Sequence, residues 1–399
     1  MIRQDPLNRI MRFMLTLSGI LPGASCVLFW RMYMIVSITF GLYGIYLYIM
    51  NRINTVTLWD LMECLSFVLA HSKVIFKCLM FWINQQKFLE ILAMMKEDWN
   101  DCAHDDISLE ETAIKVKTYD RIARVILILH TLSIVGFSSG VIFANDDITN
   151  NATEVHFITK IDFPFEINTQ RTYRLILVIE SLALFTFSWS TGTVNCMLLI
   201  LIMHIAGQIN IVRRWLTELA FSEDTGKDKS IPITLTKIIQ KHKKIICFSR
   251  KIQSLYMHIS LVQFLLNTIM ICAIAFLVVT AVGSPDAVKQ IVKCFFFYVI
   301  TNLEAYIFCF AGEYLKNKSR EIGIAAYSTA WYNMKSKDSR VLLFVILRSQ
   351  KELTLTAGNM MELSLQSFTS VRFVKKNLLE YTAFNIAILL YFYSKISFF

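Results

Sequence analysis

The apolar positions of this chain fall into long unbroken runs, not into the two-residue alternation of half-buried strands. Six runs are each long enough, at about 1.5 Å of rise per residue, to cross a hydrocarbon core about 30 Å thick. They cover residues 30–50, 57–83, 122–145, 173–202, 256–282 and 288–311. A weaker seventh lies between 363 and 393. The second run carries Glu63, His71, Lys73 and Lys77 inside an otherwise apolar stretch. No internal repeat and no Gly- or Ser-rich linker breaks the pattern, so residues 1–399 read as a single domain.

The segments between runs are patterned too. Glu90 to Trp99 reads as a helix leaving the second run, and Ile205 to Leu219 continues the fourth run past the bilayer. Pro232 opens a further helix, "PITLTKIIQKHKKIICFSRKIQSLY", whose apolar residues recur near i, i+3, i+4 and i+7. Its basic face suits solvent or lipid headgroups. Segments this long and amphipathic must pack against something. The expectation is a helical bundle outside the membrane, built from extended spans. Residues 1–21 are basic and amphipathic, without the compact apolar core and small-residue site of a cleavable signal.

Composition agrees. The chain is 55% hydrophobic, with 30 Phe and 15 Tyr but 5 Pro; a soluble chain of this length would need far more polar surface. The net charge of +10 does not point to nucleic acid, because the cations are not gathered on one patch. Lys and Arg number 4 in residues 1–31, 4 in 84–120, 10 in 208–255 and 6 in 313–340. The alternate segments hold 1 (residues 51–56), 2 (146–172) and 1 (283–290). Cations stay on the cytosolic side of a membrane. The pattern therefore predicts an all-α membrane protein with seven transmembrane helices, a cytosolic N-terminus, an extracellular C-terminus and a helical cytosolic anchor bundle. G-protein-coupled receptors have the opposite orientation, and "DRIARV" starts the third run here, where those receptors place a similar motif at its finish.

Asn151-Ala152-Thr153 is a glycosylation sequon on the predicted outer loop, so Asn151 is the expected acceptor; Asn317-Lys318-Ser319 falls inside and should be silent. The 9 Cys form no CxxC and sit in runs or on the predicted inner side, which argues for small buried residues over a disulfide framework. The 7 His are scattered without metal-ligand spacing. His71, His130 and His204 read as satisfied core or boundary histidines. With no nucleophile elbow and no Gly-rich phosphate loop, no catalytic residue, metal or cofactor is expected, and the chain reads as no enzyme.

Several motifs then combine in order: "RIMRFMLTLSGILP" before the first run, "FPFEINTQRTYRLIL" into the fourth and "HIAGQINIVRRWL" after it. "KHKKIICFSRKIQSLYMHISLVQFLLNTIMICAIAFLVV", "YIFCFAGEYLKNKSREIGIAAYSTAWYNM" and "LLFVILRSQKELTLTAGNMMELSLQSFTSV" follow. Together, over roughly residues 8–371, they resemble the insect odorant receptors. The resemblance implies an odorant-gated, non-selective cation channel with the inverted orientation that the charge pattern gives independently. It implies a tuning subunit that assembles with a common coreceptor into a heterotetramer, in the plasma membrane of olfactory neuron dendrites. The cytosolic helices would form the central anchor, and the seventh helix would line the pore. A gustatory-type ligand-gated channel is the alternative, although the "TYhhhhhQF"-like ending of that group (h apolar) is not found here.

The resemblance also implies a pocket for a small volatile ligand between the outer halves of spans two, three, four and six. By direction of travel those halves hold Cys64, Phe67, Phe137, Gly140, Val141 and Leu177, then Glu180, Leu184, Phe297, Tyr298 and Thr301. Aromatic residues offer shape and stacking to such ligands, and each is equally at home in bundle packing. Glu180 stands out because a carboxylate at this depth is costly and tends to be functional. It reads as a partner for Arg174, as a water-facing group, or as a polar handle for the ligand.

The match ends at "SLQSFTS". Family members continue with small, hydroxylated and aromatic residues, whereas this chain reads "VRFVKKNLLEYTAFNIAILLYFYSKISFF". Three readings stay open. Arg372, Lys375 and Lys376 mark an inner mouth before a crossing from Leu378 to Tyr393; or the tail is translated intron, since Val-Arg can be encoded as GTAAGA; or the gene is inactive. No pore-gate residue is carried over.

Overall fold

The computed structural model describes residues 7–21, 23, 26–102, 106–142, 157–165, 167, 169–222, 231–282, 287–329, 331–332 and 334–369. In chain order the helices are α1 (Arg9–Leu17), α2 (Val27–Asn51), α3 (Leu58–Ile83), α4 (Gln85–Cys102) and α5 (Asp106–Ile142). They continue with α6 (Gln170–Ser222), α7 (Ile231–Ala281), α8 (Ala287–Tyr327) and α9 (Ser336–Ser349). Strands β1 (Thr356–Ala357) and β2 (Met361–Glu362) then pair antiparallel, Thr356 opposite Glu362. The six apolar runs become α2, α3, α5, α6, α7 and α8, and each of these helices contains a stretch apolar and long enough to cross a membrane. The chain is thus a helical, multi-pass membrane protein. The seventh run beyond residue 369, the acceptor Asn151 and the C-terminal tail lie outside the described residues.

Local chemistry sets the helix ends. Thr57 and Asp60 form a capping box: the Asp60 amide donates to the Thr57 hydroxyl and the Thr57 amide donates to the Asp60 carboxylate, both at 3.2 Å. This satisfies two orphan donors at the start of α3. At its finish the Asn84 side chain donates to the Met80 carbonyl at 2.9 Å. Helix α7 starts beside Pro232, whose missing N–H costs nothing in a first turn. The basic helix expected from Pro232 and the fifth run prove to be one continuous rod.

Three helices far exceed a bilayer. They have 53, 51 and 41 residues in α6, α7 and α8, where about 20 suffice to span. Their surplus length gathers at one end with α1, α4, α9 and the hairpin; that end is called lower, and the end bearing residues 157–169 upper. In the lower half, Asp98 of α4 accepts from His204 of α6 at 3.1 Å and from Lys241 of α7 at 2.9 Å, with Lys244 also at 3.1 Å. Burial alone would push the Asp98 carboxyl up, but these bonds and charges override it and hold it well below the ordinary carboxylate range. Arg213 of α6 and Lys318 of α8 share Glu321, and Arg320 of α8 reaches Glu352 at 2.8 Å.

One helix departs from expectation. The fourth run reads as one membrane span among six, yet Val194 and every residue from Cys196 to Met203 are at most 5% exposed. Neighbours α1, α3, α5, α7 and α8 surround this stretch of α6. A helix apolar all round is a core helix as readily as a membrane one, and periodicity does not separate the two. The upper part of α6 and the remaining spans keep an outward apolar face, with Leu28, Val36, Ile179 and Phe295 all more than half exposed.

The last described segment is anchored by backbone. In the hairpin turn Gly358 and Asn359 take φ of +59° and +57°, a left-handed conformation that Gly and Asn adopt at low cost. Beyond it the Leu363 carbonyl lies so close to α8 that a Cβ on Gly312 would sit 2.1 Å from its oxygen. Only glycine permits that approach.

Candidate ligand-binding site

Midway along the upper half, α3, α5, α6 and α8 leave a cavity of about 100 Å³. Its walls are mostly apolar. Phe67, Phe137 and Phe297 close its top as an aromatic triad, with ring centroids 5.5, 5.7 and 5.4 Å apart. Edge-to-face packing of this kind favours the rings beyond their burial alone. Phe187, Leu184 and Met270 add further apolar wall.

The floor is ionic. Lys73 of α3 donates to Asn267 Oδ1 of α7 at 3.0 Å and to Glu304 Oε2 of α8 at 3.2 Å. One turn on, Lys77 donates to Asn195 Oδ1 of α6 at 3.2 Å and lies 3.8 Å from the same Glu304 oxygen. Gln263 also donates to Glu304, and Asn267 donates to the Thr301 carbonyl at 3.2 Å. Buried charges need this kind of pairing. His130 lines the cavity as well: its Nδ1 meets the Ser188 hydroxyl at 3.0 Å, while its buried Nε2 has no partner among the described residues.

Above the triad the space reopens. A small pocket of about 30 Å³ shares Phe67, Phe137 and Phe297 with the cavity. It shares Trp59, Glu63, Gln290 and Lys293 with an upper vestibule of about 380 Å³. Lys293 pairs with Glu63 at 2.8 Å, and its ammonium lies 4.7 Å from the Phe137 ring centroid, within cation–π range. The vestibule is laced by Arg52–Asp162 at 2.6 Å and Lys160–Asp60 at 3.2 Å. Partial burial would lower the Lys160 ammonium, but Glu63 and Asp60 outweigh it and raise it above the ordinary range.

Of the residues expected in the pocket, Phe67, Phe137, Leu184, Phe297 and Thr301 do line the cavity. Cys64 and Val141 are buried in the packing above it, with Leu177 against them. Gly140 lies within α5. Tyr298 is 37% exposed and off the cavity wall, because it stands one residue round α8 from Phe297. Glu180 is buried but is not a cavity group. Its carboxylate accepts from the amides of Ile158 and Thr159, at 3.1 and 2.7 Å, and from the Thr159 hydroxyl. It straps the upper loop instead of facing water or Arg174. His71 and His204 are satisfied as expected, by the Phe67 carbonyl at 2.7 Å and by Asp98. His130 is only half satisfied.

The sequence reading missed Lys73, Lys77 and Glu304 as one unit. A signal was present: opposite charges in two apolar runs, which in a membrane pair with one another.

A profile described as "7tm Odorant receptor" matches residues 57–373. Odorant receptor 10 of Aedes albopictus is 31% identical over 164 residues, 41% of this chain and 43% of that one. Odorant receptor 13a of Drosophila melanogaster is 22% identical over 367 residues, 87% of this chain and 85% of that one. The matches to Odorant receptor 10 and to Odorant receptor 82a of Drosophila melanogaster span less than half of either relative's length. Among solved structures, the olfactory receptor OR5 from Machilis hrabei superposes with a TM-score of 0.75 at 14% identity, covering 94% of this chain and 96% of that one. Its complex with eugenol superposes at 0.74 with the same identity, covering 94% and 97%. At that identity the likeness speaks for the fold.

Proposed function

Because the chain belongs to the 7tm odorant receptor family, we propose that it is the odorant-binding subunit of a ligand-gated, non-selective cation channel. It works with a common coreceptor in a heterotetramer, at the dendritic membrane of olfactory neurons. The observation that carries this reading is the cavity between α3, α5, α6 and α8, mostly apolar with a few convergent polar groups. Small-molecule sites have that character. The eugenol complex of the structurally similar receptor supports a small organic ligand for this chain too.

The orientation is read from charge: as far as they are described, the Lys- and Arg-rich segments fall at the lower end, which is taken as cytosolic. The vestibule then opens outward and Asn151 is an external acceptor. Gating needs a ligand that binds the open state better than the closed one. Glu304 joins the cavity floor to α8, and α8 holds the hairpin segment at Gly312, so the two are mechanically connected through one helix. The test is co-expression with the coreceptor and current recording during odorant application. Odorant-evoked cation current supports the reading; surface-delivered protein that stays silent to a broad panel overturns it. An epitope before Pro6 reached by antibody on intact cells would reverse the orientation.

A further inference from the structure

The cavity floor is out of electrical balance. Lys73 and Lys77 bring two ammonium groups, and Glu304 is the carboxylate within ion-pair distance of both. The next ion pair above, Glu63–Lys293, is closed on itself beyond the aromatic triad. His130 on the facing wall adds a buried ring nitrogen without a partner among the described residues. Every other group on the floor is neutral: Asn195, Gln263, Asn267 and Thr301. In a membrane interior, ionised groups are rare and pair with one another, and an unmatched buried charge is strongly unfavourable. Among the described residues the floor holds two cations against one anion, Asn195 Nδ2 and Gln263 Oε1 are also unpartnered, and both Lys73 and Glu304 line the cavity.

We propose that the ligand this cavity is built for is a small carboxylic acid. Its carboxylate pairs with Lys73 and completes the balance of the floor; its apolar body lies under the rings of Phe67, Phe137 and Phe297. The size is set by the void. At about 100 Å³ it is smaller than an apolar cavity of ~150 Å³ that admits benzene, so the body is a short chain and a single ring marks the upper limit of size. A neutral ester fills the same space and leaves the positive excess unmatched. An amine of the same shape adds a third cation and is rejected.

The inference rests on the odorant-subunit reading for the cavity's purpose, and it is testable without current. The full-length chain in lipid nanodiscs is titrated with matched sets that differ only in the head: benzoate, methyl benzoate, benzyl alcohol and benzylamine, and the same four heads on C4–C6 chains. Binding is read as a rise in unfolding midpoint. The expected result is an acid acting at concentrations at least ten-fold below its ester in one or more sets, with no amine binding. Lys73→Met and Lys77→Met each bring the floor to neutrality and should abolish that preference while ester binding persists. Lys77 does not line the cavity, so loss of preference there reports charge balance and not a lost contact. If either variant fails to fold, the wild-type head-group comparison still decides. Esters or amines equal to acids in every set, or no acid binding in any, overturns the proposal. Acid binding without current in cells co-expressing the coreceptor leaves the head-group assignment standing and overturns the channel reading.

Discussion

The upper and lower halves of the bundle are built from the same long helices and solve opposite problems. The lower half is filled: α6 is surrounded, Asp98 is shared by three helices, and the void beside His204 measures about 10 Å³, barely one water. The upper half keeps about 100 Å³ empty above a charged floor. A ligand that fills this space gains packing contacts that the walls alone do not make. Dense packing is concentrated in the lower half, and unfilled space in the upper.

The comparison can be broken most sharply in the lower half. Asp98→Ala strands Lys241, Lys244 and His204 around a 4% exposed site; losing one side of a buried charge set costs about 3–5 kcal/mol, read as a large fall in the unfolding midpoint of the purified chain. Phe308, fully buried in α8, should lose about 3–5 kcal/mol on truncation to Ala. Phe297→Ala should lose clearly less, since its ring already borders empty space, and should shift preference toward bulkier ligands; equal losses at 308 and 297 would erase the distinction. Glu180→Gln keeps shape but removes a charged acceptor from two amides and a hydroxyl. A loss of about 1.5–3 kcal/mol is expected, with ligand ranking preserved because the carboxylate faces the loop. The smallest effect belongs to the lipid-facing surface: Ile179→Val should stay within about 0.5 kcal/mol.

Acid sharpens the same contrast. The Asp98 carboxyl is depressed in the folded state, so its contribution is fully present above its unfolded value of about 3.9 and is lost as pH falls through the lower, folded value. Asp98→Asn should flatten the part of the stability profile below about pH 4; an unchanged profile would remove Asp98 as its source.

Much of this was legible in the chain. Runs of 20 or more apolar residues mark helices by length alone. The extension of the fourth run and the helix from Pro232 followed from periodicity. The cavity was half legible. Phe67, Phe137, Leu184, Phe297 and Thr301 were placed by depth along their helices, but Cys64, Val141 and Leu177 lie above the cavity, and depth does not give the direction round the helix, so Tyr298 and Glu180 fell outside. Of the floor, charges inside apolar runs signalled that partners exist, but Lys73 and Glu304 are 231 residues apart and nothing local to either names the other.

The contact at Gly312 has its own consequence for swapping pieces between receptors. Where main chain rests on main chain, no side chain is available to retune the fit. The seating of Leu363 on α8 is therefore independent of whatever follows residue 369, and exchanging that terminal piece should leave its point of departure unmoved. A junction placed just after Leu363 is the natural suture for chimeras, and a methyl group at 312 is the smallest change that would tear it.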